Sequence, residues 1–473
     1  MKRPHIVLIT MDELRKDSLS CYGNEAIRTP NLDALASESL RFERAYTASP
    51  WCMPSRCAIL TGQLPQRNGA YSNFRECRIG TGTPTLFSEL KRAGYRTAMF
   101  GKCHFLPVNY GEARPDRTLP YDRHRDYYLG LGIDDLALQD GKLVSAWHYD
   151  DFSKELDANG LLETYRAAAW DKSAQKVYPY PLPKEWHPDS WTGRKAESYI
   201  ASYDREEPLF AWISFSGPHY PFDAPADYYG RVDLSRASPR RMKAGELDDP
   251  GRIHHASYHG PGKIDGAGSA PGRACKNYGD DYWERLTRSY YANVSQIDEQ
   301  IGLISSAVKS RLGEDTLIVF TADHGEMLGH HGIWGKHNCA YEDVWNVPLL
   351  VKYPNGPTGV EEKSKVMLTD IMPTFRKAAG LAGPAVDGAD FLEVAAAGGH
   401  RYVHCEGEGF AAVSDGVLKY VQVNKPGERF AELLDLDRDP NEFDNRFDQP
   451  EYAARQSELQ QVLTESFMRT VLG

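Results

Sequence analysis

An α/β fold with one large, mostly parallel β-sheet sandwiched by helices is what this sequence predicts, and three observations predict it. Three short runs, residues 5–10, 208–215 and 316–320, are almost continuously apolar, the pattern of strands covered on both faces, and a fourth, residues 96–100, has strand character. Each leads into a cluster rich in Asp, Lys or His, at the carboxyl end where open α/β sheets hold their ligands. Past residue 385 the strand-like runs at 402–404, 417–423 and 430–436 and an amphipathic stretch over 451–472 read as a small α+β unit with an antiparallel sheet. At 473 residues the chain exceeds one ordinary core. Two domains are therefore expected, residues 1–385 and 386–473.

Composition narrows the partners. With 41% hydrophobic and 26% charged residues the chain has the profile of a soluble globular protein. A net charge of −11 argues against nucleic acid and against anionic membranes. An anionic ligand must then be met by a local basic pocket. No apolar run approaches the roughly 18 to 20 residues of a membrane span, and the amino terminus enters its first strand without a cleavage-site pattern. Cytoplasmic residence is the expectation, and a homo-oligomer is left open. Eight cysteines, at 21, 52, 57, 77, 103, 275, 339 and 405, lack both paired metal spacing and disulfide-scaffold density, so no structural disulfide is expected.

Along the chain, the first strand ends at Asp12 and Glu13, and a helix is predicted over 31–40. Pro54 suits a first helical turn and Gly62 a stop, which predicts a helix over 54–61 with Cys52 just before it. Free N–H groups at that end favour an anion, and Arg56 adds a two-pronged donor. A helix over 86–92 leads to the strand that delivers Lys102, Cys103 and His104. In extended backbone Lys102 and His104 share a face. Residues 107–190 show weak periodicity; Trp147, Tyr149, Trp170 and Trp186 are candidate pocket walls there. A helix over 191–203 precedes the strand that ends before His219. Residues 230–281 read as a loop, with His254, His255 and His259 solvated rather than metal-bound. A long helix over 282–311 leads to the strand ending at Asp323 and His324. Lys336 and His337 come next, then a strand over 346–353 and a helix within 365–380.

Cys52-Met53-Pro54-Ser55-Arg56 with Leu60-Thr61-Gly62 resembles the signature of type I sulfatases in the alkaline phosphatase superfamily. Asp12-Glu13, Lys102-x-His104, Pro218-His219-x-Pro221-Phe222, Asp323-His324-Gly325 and Lys336 are similar to that family's other recurring segments. The resemblance implies an alkaline phosphatase-like fold and conversion of Cys52 to formylglycine by a formylglycine-generating enzyme that reads Cys-x-Pro-x-Arg. It further implies that the hydrated aldehyde is the nucleophile and that Asp12, Glu13, Asp323 and His324 bind a divalent metal. Carboxylate oxygens favour calcium, and the histidine leaves manganese or magnesium open. Arg56, Lys102 and Lys336 would balance charge on the sulfate oxygens, His219 with Lys336 would protonate the leaving alcohol, and His104 would serve as the base that lets the sulfated intermediate collapse. Glu13 departs from the usual second aspartate, and His324 stands where many members have asparagine.

The activity implied is hydrolysis of a small-molecule or saccharide sulfate ester. A phosphonate monoester or phosphate diester hydrolase is the alternative, similar around Cys52 and Asp323-His324 but without the Lys-x-His pair. A non-catalytic anion-binding protein on the same scaffold is the third reading.

Overall fold

Strand formation here follows from apolar runs too hydrophobic to leave either face in water. In the computed structural model, which describes residues 3–108, 118–170, 177–260, 275–336, 339–425 and 428–472, β1 (Ile6–Asp12) is buried along its entire length. Next along the chain are β2 (Leu40–Tyr46), β3 (Arg96–Gly101), β4 (Leu119–Pro120), β5 (Asp135–Leu138), β6 (His148–Tyr149), β7 (Leu209–Pro218), β8 (Leu317–Ala322), β9 (Asn346–Lys352), β10 (Val360–Glu362) and β11 (Val366–Met367). The large sheet has the order β10-β2-β9-β8-β1-β7-β3-β5, with β11 also on β2, while β4 and β6 pair separately. Only β9 runs against the others.

Register makes this sheet useful. Thr10 lies opposite both Ser214 and Thr321, and Gly101 is opposite Ser214. The carboxyl ends of β1, β3, β7 and β8 therefore finish level. Gly101 makes this possible on β3: its φ is +87°, and a Cβ there would fall on the Ser214 carbonyl oxygen. Side chains alternate along β7, and Phe210 and Trp212 pack on Phe87, with Phe210 also against Phe375. Helices Cys52–Thr61, Leu86–Arg92 and Ile371–Ala378 cover that face. Pro30–Ser37, Pro188–Ala201 and Asp280–Ala307 form the other layer.

The strands β12 (Val403–Gly407), β13 (Phe410–Ser414), β14 (Leu418–Lys425) and β15 (Glu428–Asp435) form an antiparallel meander, backed by the helix Ala453–Leu472. Buried Lys419 of β14 joins this sheet to the rest through Glu342 Oε1 at 2.8 Å and Glu442 Oε1 at 2.6 Å.

Several elements differ from the expectations raised by the sequence. The first helix stops at Ser37, because Leu40 already begins β2. Residues 107–190, where described, hold helices Asp122–Gly130, Lys142–Trp147, Asp151–Ala158 and Leu162–Trp170. Among the described part of 230–281, His255 Nδ1 sits 2.7 Å from the Leu247 carbonyl oxygen and His259 Nε2 sits 2.8 Å from Asp248. All eight cysteines are free thiols. No helix among the described residues is long and apolar enough to cross a membrane.

Candidate active site

Cys52 is the first residue of the helix Cys52–Thr61 rather than the one before it, and the whole helix is buried. Its leading turn is held by Met53 N–H donating to Asn73 Oδ1 at 2.9 Å. The thiol Sγ lies 3.2 Å from His324 Nε2, 3.2 Å from Lys336 Nζ and 3.6 Å from Asp12 Oδ1. Residues from the ends of β1 and β8, from a loop and from a helix start thus meet at a single sulfur.

The ends of β1 and β8 carry acids. Asp12 and Asp323 are fully buried. Asp323 Oδ1 accepts from the backbone N–H of Glu13 at 3.1 Å and of His324 at 3.0 Å. Arg56 secures its other oxygen, Nε to Oδ2 at 2.8 Å, and donates Nη1 to Ser214 Oγ at 2.6 Å and to the Lys102 carbonyl at 3.0 Å. The guanidinium therefore lies beneath the cleft floor, fastening β7, Asp323 and the segment leaving β3 together. Glu13 takes a left-handed φ of 66°, which turns its carboxylate to Lys336 Nζ at 3.0 Å and His219 Nε2 at 3.2 Å. Tyr290 fixes that bend by donating to the Glu13 carbonyl at 2.6 Å.

The bases come from the ends of β3 and β7. Lys102 Nζ is bonded to Asp12 Oδ2. His104 has a φ of 47°, so the extended geometry expected for Lys-x-His ends at this residue, yet both side chains still line the same cleft as Cys52. Among the described residues both ring nitrogens of His104 are buried without a hydrogen-bond partner. Its backbone N–H is held by Asp140 Oδ1 at 2.7 Å. His219 Nδ1 lies 2.6 Å from the Tyr220 carbonyl oxygen, so Nδ1 carries the proton and Nε2 faces the site.

The cleft is also lined by Trp51, Asn73, Phe74, Leu143, Val144 and Tyr220. Trp147 and Tyr149 are not on it, whereas Lys142, Leu143 and Val144 of the same poorly periodic stretch are. Ser214, Tyr290 and Asp140 belong to no motif that singles them out in the sequence. Ser214 alone leaves a signal, as the one polar residue inside the apolar run 208–215. His337 lies outside the described residues.

Electrostatics divide the groups. Burial pushes the Cys52 thiol up, but Lys102, Lys336 and His324 together pull it well below its ordinary value. Burial and Cys52 push Asp12 up, and Lys102, His219 and Arg56 outweigh them and hold it below the carboxylate range. Burial and neighbouring Glu326 and Asp12 raise Glu13 well above its usual value against the pull of Lys336. Burial, with Lys336, lowers His219 to about 4. An anion at position 52 is thus stabilised, while His219 is kept neutral.

The donors fit a divalent cation. Asp12, Cys52, Asp323 and His324 each offer a ligand atom, all within 4.8 Å of one another, and Asp12, Glu13 and His219 make a second such group. Among the described residues Glu13 Oε1 is buried without a donor, with the Glu326 carboxylate beside it, a costly state that a hard cation would relieve. His324 Nδ1 lies 3.0 Å from the Gly325 carbonyl, which leaves Nε2 a lone pair for a metal.

Residues 4–381 match the family described as Sulfatase, and residues 329–469 match the C-terminal region described as N-sulphoglucosamine sulphohydrolase. An arylsulfatase of Clostridium perfringens is 29% identical over 491 residues, covering 98% of this chain and 94% of that protein. An N-acetylglucosamine-6-O-sulfatase of Bacteroides thetaiotaomicron is 26% identical, covering 98% and 86%. In fold, the chain resembles the phosphonate monoester hydrolase of Agrobacterium radiobacter with a TM-score of 0.80 at 23% identity, covering 99% and 96% of the two chains.

Proposed function

We propose a reaction from one premise: this chain belongs to the sulfatase family, and it is a sulfatase. The reaction is cleavage of the sulfate monoester of a saccharide or small alcohol, using Cys52 in its formylglycine form. The observation that carries it is the convergence of His324 Nε2, Lys336 Nζ and Asp12 Oδ1 on Cys52 Sγ at 3.2, 3.2 and 3.6 Å. Cys52 is only 2% exposed, so a formylglycine-generating enzyme would have to read Cys52-x-Pro54-x-Arg56 before the helix packs.

Asp12, Asp323 and His324, with Glu13 beside them, are the residues that would hold a divalent cation, calcium in our reading. Bound there, the cation and the formylglycine hydrate would together supply an acidified hydroxyl as nucleophile. Lys102 and Lys336 would bind the non-bridging sulfate oxygens beside position 52 and oppose the charge that develops on them. Arg56 would act from below, keeping Asp323 in place. His219, with Nδ1–H committed to Tyr220, has a lone pair at Nε2, so it would take a proton there from the Lys336 ammonium, which meets the same Glu13 oxygen, and pass it to the departing alcohol. The unpartnered ring of His104 is free to take the proton whose loss releases sulfate. A sulfated sugar is supported by the family relative that is an N-acetylglucosamine-6-O-sulfatase, and Trp51, Phe74 and Tyr220 offer aromatic faces at the cleft.

Release of sulfate, phosphonate and phosphate from a matched panel of aryl and sugar esters tests this. Sulfate monoesters should be turned over best. A strong preference for phosphonate monoesters would transfer the assignment to the phosphonate hydrolases.

A further inference from the structure

The segment that carries His219 is gripped at both ends by a second buried polar cluster. On the amino-terminal side, Asp189 Oδ1 accepts from Gly217 N–H at 2.9 Å and from Ser216 Oγ at 3.3 Å. On the carboxyl side, Lys142 Nζ donates to the Pro221 carbonyl at 3.0 Å. Asn293 ties the two together, donating Nδ2 to Asp189 Oδ2 at 3.0 Å and accepting from Lys142 at 2.9 Å. Asp223 Oδ1 takes the third Lys142 hydrogen at 2.7 Å. His187 lies between the carboxylates, 3.5 Å from Asp189 and 3.6 Å from Asp223.

We propose that Lys142, Asp189, Asp223 and Asn293 are positioning residues for the sulfatase reaction, a clamp that sets the His219 ring against the leaving-group side of the cleft. The proposal rests on the reading of His219 as the proton donor. Three features favour it over a plain packing role. Side chains of Lys142 and Asp223 are each 1% exposed and those of His187 and Asp189 are 0% exposed; burying that much charge is a poor route to stability when apolar packing would serve. Two of its bonds end on the backbone on either side of His219, at Gly217 and Pro221, and Asn293 anchors the cluster in the helix Asp280–Ala307 through Gln296 at 3.0 Å. The fit is also close, since a Cβ at Gly217 would fall on Asn293 Oδ1 and Asp189 Oδ2. Lys142 additionally starts the helix Lys142–Trp147, whose Leu143 and Val144 line the cleft. One ammonium thus links the wall that faces the alcohol to the histidine that would protonate it.

The test compares two sulfate esters, one of an acidic phenol that leaves without help and one of a weakly acidic alcohol that needs a proton. Lys142→Met combined with Asp223→Asn removes both charges together, and Asn293→Ala loosens the clamp without stranding a charge. Both variants should lose kcat about 100-fold on the alkyl ester, the cost of a small misplacement of a reacting group, and no more than about threefold on the phenyl ester, where general acid catalysis contributes little. KM should hold on both. Should the double variant not fold, Asn293→Ala decides alone. His219→Ala is measured beside them. Equal losses on the two esters in the clamp variants, next to a His219→Ala that discriminates, would overturn the clamp alone. A His219→Ala that does not discriminate would overturn the reading of His219 and the clamp with it.

Discussion

The cysteine floor and the Lys142 clamp are both sealed from water, and they differ in how completely their polar atoms are used. In the clamp every hydrogen of the Lys142 ammonium meets an oxygen, and both Asp189 oxygens accept. Lys142, Asp189, Asp223 and Asn293 all keep a negative φ. On the floor, Glu13 Oε1, Arg56 Nη2 and both His104 nitrogens lack hydrogen-bond partners among the described residues, and Glu13 and His104 are bent into the left-handed region. Unused polar atoms and local strain in one place mark a centre built to receive something, whereas a network without strain, whose ammonium is fully bonded and which leaves His187 Nε2 over, marks one built to hold still.

That contrast breaks most visibly on metal. With calcium in a hundredfold excess over Kd the wild type should gain about 2.7 kcal/mol of stability, read as a rise in thermal midpoint, and Asp323→Ala should abolish both that rise and sulfate release. Asn293→Ala should keep the calcium response. Undiminished metal content in Asp323→Ala by elemental analysis would remove this acid from the site. Glu13→Gln sharpens the point: a small loss of metal would leave Glu13 only its pairing with Lys336 and His219.

A smaller effect separates the two histidines. His104→Ala should slow breakdown of the covalent intermediate more than its formation, by about 100-fold for loss of a general base. Rapid-quench measurements would then show a stoichiometric burst of alcohol before slow turnover. Unchanged steady-state activity without a burst would exclude His104.

The smallest effect belongs to the strained backbone. Tyr290→Phe removes the donor to the Glu13 carbonyl and the acceptor for the Arg15 N–H, at about 1 kcal/mol of stability per lost bond. Chemical denaturation should record that loss with nearly unchanged sulfate release.

Much of the floor is legible in the sequence because its residues sit at the ends of uniformly apolar strands, where periodicity and chemistry change at one position. Asp12, Lys102, His219 and Asp323 all have that context. Left-handed turns at Glu13 and His104 leave no such trace, since neither residue is glycine. β2 is hidden for another reason: Leu40-Arg41-Phe42-Glu43-Arg44 alternates as a half-buried strand should, but it comes directly after a helical pattern that runs on to residue 40. The clamp is illegible because Lys142 starts a short helix in a stretch of weak periodicity, and Asp189, Asp223 and Asn293 lie far apart in sequence. Only the fold brings these four together.

The central claim is that Cys52, once converted to formylglycine, is the nucleophile of this sulfatase. The direct measurement is sulfate release by protein prepared with and without a formylglycine-generating enzyme, set against the fraction of Cys52 converted as read by peptide mass spectrometry. Activity should rise in proportion to the aldehyde fraction and vanish in Cys52→Ala. Full turnover by protein whose Cys52 remains a thiol would contradict the account.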